Sequence, residues 1–423
     1  MRELEERYPD AIAVVGVHSG KYTTERETSR IRDASIRLGA VHPTINDRQF
    51  RVWRSYAVRA WPTLVAVDPR GAVVGMQAGE FTADALVPFI ERVLTDARSA
   101  RTLVDGPLHF GAEPTALPFG VLAFPGKVAI DGRRIAIADS GHRRVLVGSL
   151  DERGTRMRVE RTIGGPAATY RDGAAPAFVN PQGVVFDGER LYVADAGSHT
   201  VREVSLQSGV TRTLAGTGRQ LRTAVDEAQG ALSSPWDLAL ADGTLYVAMA
   251  GIHQLWTVDV ASGRAAVFSG SGAEELHDGA HGEAAFAQPM GICVANDLLY
   301  VADAESSAIR VVDRDEHGGV RTLVGTGLFD FGDVDAVGDS ARLQHQQAVA
   351  RAPDGRLLVC DSYNDTLRWL DPATRRVDTW IRGFSEPSGL AIGDDIVYVA
   401  DTNAHRVAVV DVRSGAVSTL LIE

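Results

Sequence analysis

Cysteine is scarce. The 423 residues hold two, Cys293 and Cys360, each alone in an apolar stretch, GICVAND and LLVCDSY. Two isolated thiols exclude a disulfide scaffold and a zinc knuckle, which both need several cysteines at short spacings. They read as buried strand residues, because free cysteine behaves as a small hydrophobe. Long apolar runs are missing as well. No stretch approaches the ~20 residues that cross a bilayer as a helix, and the opening MRELEERYPD alternates charges where a secretion signal carries an apolar core. The expectation is a cytoplasmic protein with no membrane partner. A basic excess is lacking too: 43 Lys and Arg stand against 55 Asp and Glu, a net charge of -12. That balance argues against nucleic acid, whose phosphates demand compensating cations.

What is present is the composition of an ordinary globular chain, 45% hydrophobic and 23% charged, long enough for two or three separate cores. It divides into halves with different periods. Residues 1–94 alternate strand and helix patterns and read as a small α/β domain. AIAVVGV (11–17) is a short apolar strand, and RIRDASIRL (30–38) places Ile31, Ala34, Ser35 and Leu38 on one helical face. DRQFRVWRSY (47–56) repeats that spacing with Phe50, Trp53 and Tyr56. TLVAVD and AVVGMQ flank Pro69-Arg70-Gly71 as a hairpin, and TADALVPFIERVL (82–94) reads as a helix with Thr82 as its N-cap. Residues 95–117, with Pro107, Pro114, Gly106 and Gly111, read as a linker.

From 118 to 423 the sequence repeats. RRIAIADSGHRRV, ERLYVADAGSHTV, GTLYVAMAGIHQL, DLLYVADAESSAI, GRLLVCDSYNDTL and DIVYVADTNAHRV align on Asp139, Asp195, Met249, Asp303, Asp361 and Asp401, at intervals of 56, 54, 54, 58 and 40 residues. Each copy opens on a Pro-x-Gly-like step (FPGKV, NPQGV, SPWDL, QPMGI, HQQAV, EPSGL) and ends in a further strand. Four short strands in each of six copies predict a six-bladed β-propeller. The last copy carries its own fourth strand in AVSTLLIE, so ring closure by a borrowed strand is not required, although GVLAF (120–124) is available for it.

The unit P-x-G-[VIL] followed by [LIV]-Y-V-A-D resembles the NHL repeat over about 300 residues. Preceded by IAVVGVHSGKYTTE and by RAWPTLVAVDPRG, the chain resembles the two-domain family typified by NHL repeat-containing protein 2, in which a thioredoxin-like domain precedes the propeller. The resemblance implies a cis-proline at Pro62 beside a substrate groove bordered by Trp61 and Thr63. It also implies a cysteine motif on the first strand-to-helix turn, which in the family lies before the point at which this chain begins. On that footing Met1 is expected to be an internal methionine of a longer reading frame, or the redox centre to have been lost. MRELEERYPD reads as the last turns of the helix after that motif. The two strands flanking the family's central strand would then pair directly or leave open edges.

The activity implied is thiol–disulfide exchange, which needs a thiolate this half does not contain. His18 and His42 cannot replace it. The alternative is a non-catalytic interaction scaffold. A metal-dependent propeller hydrolase or lyase is disfavoured, because the first strands (VAI, VVF, LAL, ICV, AVA, LAI) bring almost no polar side chains to the channel. No cofactor and no metal site are expected.

The repeat aspartates read as caps of the tight turn after each strand rather than a calcium ring. His199, His253 and His405 stand at one repeat position, too far apart round a ring to share a zinc. They read as solvent-facing or hydrogen-bonded. The acidic loops at 272–286 and 327–343 read as solvated, with a weak calcium site or a docking surface as the sharper alternative. The third copy is aberrant: Trp236, Asp237, Met249, His253, Gln254 and Trp256 concentrate aromatic and polar character there. Two readings stand side by side, a pocket for a protein partner or small ligand on the propeller face and a locally rebuilt turn.

Overall fold

A computed structural model describes residues 1–79, 81–104, 106, 120–167 and 169–423. The chain forms two compact units, Met1–Leu117 and Pro118–Glu423.

The second unit is a six-bladed propeller. Blade one is built, from the axis outward, of Pro125–Asp131, Arg134–Asp139, Arg144–Leu150 and Arg156–Gly164 in antiparallel order. Blades two to five repeat that order, running from Pro181–Asp187 to Thr211–Ala215, Pro235–Ala241 to Ala265–Ser269, Pro289–Ala295 to Gly319–Val324 and Ala348–Arg351 to Arg376–Arg382. Blade six runs from Pro387–Ile392 to Val417–Thr419. The second strands are apolar throughout because both their faces are covered. Ile135, Ile137, Leu191, Val193, Leu245 and Val247 are fully buried between neighbouring blades.

The Pro-x-Gly step follows from this crowding. Proline can start a strand because it forgoes one ladder donor, and the glycine answers a close approach: a Cβ at Gly389 would come within 2.7 Å of the Gly126 carbonyl oxygen.

Ring closure differs from the expectation that AVSTLLIE ends wholly in blade six. Val417–Thr419 pairs with Ala408–Val410, but the chain then crosses at the buried Leu420, and Leu421–Ile422 pairs in parallel with Arg156–Met157 of blade one. Leu420 packs there against Leu150 and Met157. GVLAF forms no strand.

The first unit is α/β, in two separate pieces of sheet. Gly16–His18 pairs in parallel with Thr44–Asn46, and Thr63–Val67 pairs antiparallel with Val73–Ala78 as the expected hairpin. Only the end of AIAVVGV therefore joins a ladder. Ile12, Val14, Leu64, Ala66, Phe89 and Leu94 line an apolar cavity of about 450 Å³ beside the hairpin, and AIAVVGV does not pair with TLVAVD, so of the two arrangements expected for these two strands the open-edged one is found. The Thr28–Leu38 helix buries Ile31, but Leu38, expected on the same face, is 81% exposed.

The expected 47–56 helix shortens to Arg51–Ser55, because Asp47 turns its carboxylate to the N–H groups of Arg51, Val52 and Trp53 (2.7, 3.1 and 2.9 Å) and so caps the helix instead of joining it. Thr82 caps the next helix by accepting from the Ala85 N–H at 3.2 Å. That helix, Ala83–Ser99, continues five residues past the boundary expected at 94. Most of the rest of the expected 95–117 linker lies outside the described residues.

Candidate functional site

Each repeat aspartate is buried and takes its backbone N–H donor from the loop entering its own blade; the turn expected to be capped is reached through side chains instead, Ser198 for Asp195 (2.6 Å), Ser306 for Asp303 (2.7 Å), Asn364 for Asp361 (2.7 Å) and His142 for Asp139 (2.8 Å). Asp139 accepts from the Ala123 N–H, Asp303 from Ala287 and Asp361 from Gln344, all at 2.7 Å. Asp195 accepts from Asn180 at 2.7 Å and Asp401 from Ser385 at 2.6 Å. An arginine joins each of them. In blades one and six it stands five residues later and is partly exposed, with Arg144 to Asp139 at 2.7 Å and Arg406 to Asp401 at 2.8 Å.

In blades two, four and five it stands seven residues later and is wholly buried. Arg202, Arg310 and Arg368 lie 3.9, 3.4 and 2.6 Å from Asp195, Asp303 and Asp361. Each of these three also holds an acid of the preceding inserted loop. Arg202 takes Asp172 (2.5 Å), Arg310 takes Asp278 (2.9 Å), and Arg368 takes Asp335 (2.5 Å) together with Asp333. A buried charge is tolerated when it is paired and hydrogen-bonded. Here the pairing clamps the loop to the blade.

Blade three has neither member. Met249 stands in the aspartate position and Trp256 in the arginine position, and both are buried in one apolar cluster with Leu245 and Leu232. In the inserted loop of this blade Asp226 caps its own short helix through Thr223, and Glu227 lies on the cleft. Loop and blade instead leave a cleft of about 400 Å³, whose walls include Leu221, Arg222, Ile252, His253, Gln254 and Trp256.

The six candidate residues therefore separate. His253, Gln254 and Trp256 meet in the cleft, where the Trp256 indole donates to Gln254 Oε1 (3.0 Å) and the Gln254 amide donates to the Gly270 carbonyl (2.8 Å). Met249 is core. Trp236 packs on Ala250, Met290 and Ala304, its indole N–H buried without a partner. Asp237 turns to the propeller axis, where its carboxylate lies 3.6 Å from Lys127 Nζ.

In the first unit the Trp61–Pro62 bond is cis. Trp61 is 47% exposed, donates its indole N–H to the Ser19 carbonyl at 2.8 Å and lies 4.5 Å from the ring of Trp53, which Phe50 meets edge-on. Thr63 starts the hairpin and donates to the Ala60 carbonyl at 2.7 Å. The three groove candidates thus share one loop beside an aromatic cluster. Both cysteines belong to the propeller. Burial pushes the Cys293 thiol up to about 12 and the Cys360 thiol up as well, so neither supplies a thiolate near neutral pH.

The NHL-repeat family model matches residues 384–410, the last copy. NHL repeat-containing protein 2 of Gallus gallus is 35% identical over 482 residues, covering 100% of this chain and 65% of its own length. The Arabidopsis thaliana protein SUPPRESSOR OF QUENCHING 1, chloroplastic, is 36% identical over 468 residues, 99% of this chain and 43% of the relative. The chain is an NHL-repeat propeller related to NHL repeat-containing protein 2. It spans just under two thirds of the length of NHL repeat-containing protein 2. Among solved structures, the nidogen/laminin complex matches with a TM-score of 0.49 at 15% identity, over 68% of this chain and 93% of that one.

In these NHL repeats the histidines fasten blade to blade. His199 Nδ1 accepts from the Ser234 N–H (3.0 Å), His253 Nδ1 from Gln288 (3.1 Å) and His405 Nδ1 from Phe124 (3.1 Å). All three lie in the left-handed backbone region. Asp365 fills the same place between blades five and six, accepting from Glu386 at 2.8 Å. Among the described residues no three His, Cys, Asp or Glu side chains converge as metal ligands. The acidic loop of 327–343 is committed to arginines, Asp333 to Arg368 and Arg382 and Asp339 to Arg375. No described helix is long and apolar enough to cross a membrane.

Sequence reasoning missed the buried arginines. Their signal was on the page as a fixed step of seven residues, Asp195 to Arg202, Asp303 to Arg310 and Asp361 to Arg368, with Met249 to Trp256 substituting at both ends.

Proposed function

We propose that the propeller is a recognition module whose blade-three cleft takes an apolar group of a protein partner, and that the first unit is a thioredoxin-like domain presenting a peptide groove at Trp61, Pro62 and Thr63. The observation that carries the reading is the coincidence of the cleft with blade three, where neither the repeat aspartate nor its arginine is present. A tryptophan wall with a few polar groups around it is the usual make-up of such sites. The test uses exposed cleft positions. Ala224→Arg with Val267→Arg fills the opening, and partners captured by the 423-residue chain from its native source are compared by quantitative mass spectrometry. Loss of at least one partner with unchanged thermal melting supports the cleft; identical partner sets from both proteins move recognition elsewhere.

A second reading, thiol–disulfide exchange, is favoured by the half-exposed Trp61 on the Trp61–Thr63 loop, the segment that resembles a thioredoxin-like substrate groove. It requires a cysteine facing that loop, because the half-buried Cys293 and the buried Cys360 belong to strands of blades four and five. The intact mass of the native protein, before and after alkylation under reduction, separates the readings. A mass above that of 423 residues with more than two alkylated thiols supports an oxidoreductase. A matching mass with at most two leaves a scaffold with a silent thioredoxin-like unit.

A further inference from the structure

At the repeat position that follows Pro-x, four blades carry a small residue: Gly183, Gly291, Ala348 and Gly389. The inner strands come too close for more; a Cβ at Gly183 would lie 2.7 Å from the Asp237 Cα. The two remaining blades place long side chains of opposite charge there, Lys127 from blade one and Asp237 from blade three. The Lys127 side chain is 4% exposed. Its ammonium donates to the Ser388 carbonyl of blade six at 2.7 Å and to the Gln347 carbonyl entering blade five, and it faces Asp237 Oδ2 at 3.6 Å. Asp237 in turn accepts the Ile292 N–H of blade four at 3.1 Å and its neighbour Leu238 at 2.9 Å.

The groups that hold the ammonium are acceptors: one carboxylate and two backbone carbonyls. That is a hard-oxygen donor set of the kind that holds alkali, alkaline-earth and ammonium cations. Burial outweighs their mutual attraction, lowering the Lys127 pKa and raising that of Asp237, yet the two carbonyls and the carboxylate around Nζ match the three N–H donors of an ammonium. With acceptors alone around Nζ, the ammonium is the form that fits.

We infer that the propeller axis is a cation site occupied by a tethered cation of the chain itself, the Lys127 ammonium, which draws blades three, five and six onto blade one and seals the channel. Any ligand then binds on a face or rim, and an exogenous cation enters the axis only when the tether is removed.

The test is chemical rescue in the full chain. Lys127→Ala vacates the site, and its melting temperature falls by on the order of 5 °C or more. Methylammonium chloride, a probe of the missing head group, restores part of the loss saturably, while tetramethylammonium chloride at equal ionic strength, too large for the cage, does not. Lys127→Ala with Asp237→Ala shows no such selective rescue. Equal response to the two salts, or undiminished rescue in the double variant, overturns the inference. If Lys127→Ala fails to fold, Lys127→Met keeps the volume without the charge. The inference expects it to melt below the parent and to be relieved by adding Asp237→Asn; melting at the parent temperature, or no relief, overturns it.

Discussion

Blade three and blade four solve one packing problem in opposite ways. In blade four Arg310 is buried among Asp303, Asp278 and the carbonyls of Ala285 and His277, so an inserted loop is tied to the blade by charge. In blade three Met249 and Trp256 fill the same volume with apolar surface, and the loop is left to stand off as one wall of a cleft. Both ends of the pair change together, which is what elementary energetics demands, since one buried charge without its partner costs more than having both or neither. The lesson is that the lock is dispensable for the core and decisive for the loop.

Breaking the lock from one end is the strongest test of that lesson. Arg310→Leu leaves Asp303 buried and uncompensated, and should cost about 3–5 kcal/mol in denaturant unfolding. Adding Asp303→Met, which copies blade three, should recover much of the loss but not all of it. The Ala287 N–H would still lose its acceptor, a residual cost of about 1–3 kcal/mol. A double variant no better than the single would mean that the ion pair is indispensable to a blade and that blade three is held by something else.

A smaller perturbation separates loop from core. Asp278 ties the loop by accepting from the Thr322 N–H (2.9 Å) and hydroxyl (2.7 Å) and from Arg310. Burial raises its pKa, but the Thr322 bonds and the arginine outweigh that and leave it below the ordinary value. Asp278→Asn should cost about 1–2 kcal/mol, with faster amide exchange concentrated in residues 272–286 and little change in the inner strands. It turns blade four toward the state of blade three. The sign of the acid dependence follows: the carboxylate's contribution is complete above the unfolded value of 3.8 and is lost as pH falls through the lower folded value. Exchange that rises equally across the blade would mean that the loop is part of the core.

Six repeats, their strand count and the oddness of the third were legible because they depend on local spacing: Tyr-Val-Ala-Asp marks a strand covered on both faces wherever it occurs. Ring closure was not, because Leu421 and Ile422 choose a partner some 265 residues away, by burying Leu420 rather than by any pattern of their own. The axial pair hid for a related reason. Lys127 and Asp237 stand in different copies, and each looked like a lone departure from Pro-x-Gly until both were seen at one radius. Within the candidate site, His253, Gln254 and Trp256 kept together because they share a turn and the strand it starts, whereas Asp237 and Met249 were drawn off by the axis and the core. In the first unit Leu38 fits a helical face by period, yet no neighbouring element covers it.

The junction that seats blade three offers the mildest test. His199 fastens blade two to Ser234, at the entry of the apolar-locked blade, while Asp365 does the same work between blades five and six. An imidazole that accepts through Nδ1 must be neutral, because both ring nitrogens become donors on protonation. Burial lowers the His199 pKa, and nearby Arg222, part of the cleft, lowers it further, with Asp195 opposing. A folded value below the unfolded 6.5 means that this fastening contributes fully above pH 6.5 and is lost as pH falls through the folded value. As pH falls from 7.5 through the folded His199 value, the Ser234 amide should therefore lose exchange protection relative to the Glu386 amide, whose acceptor is a carboxylate, by an amount on the order of one hydrogen bond, about 1 kcal/mol. His199→Asn, which tolerates the left-handed backbone and offers a non-titrating acceptor, should flatten that difference. Equal loss at both amides would place the acid sensitivity in the whole ring, and blade three would then differ from its neighbours in its loop alone.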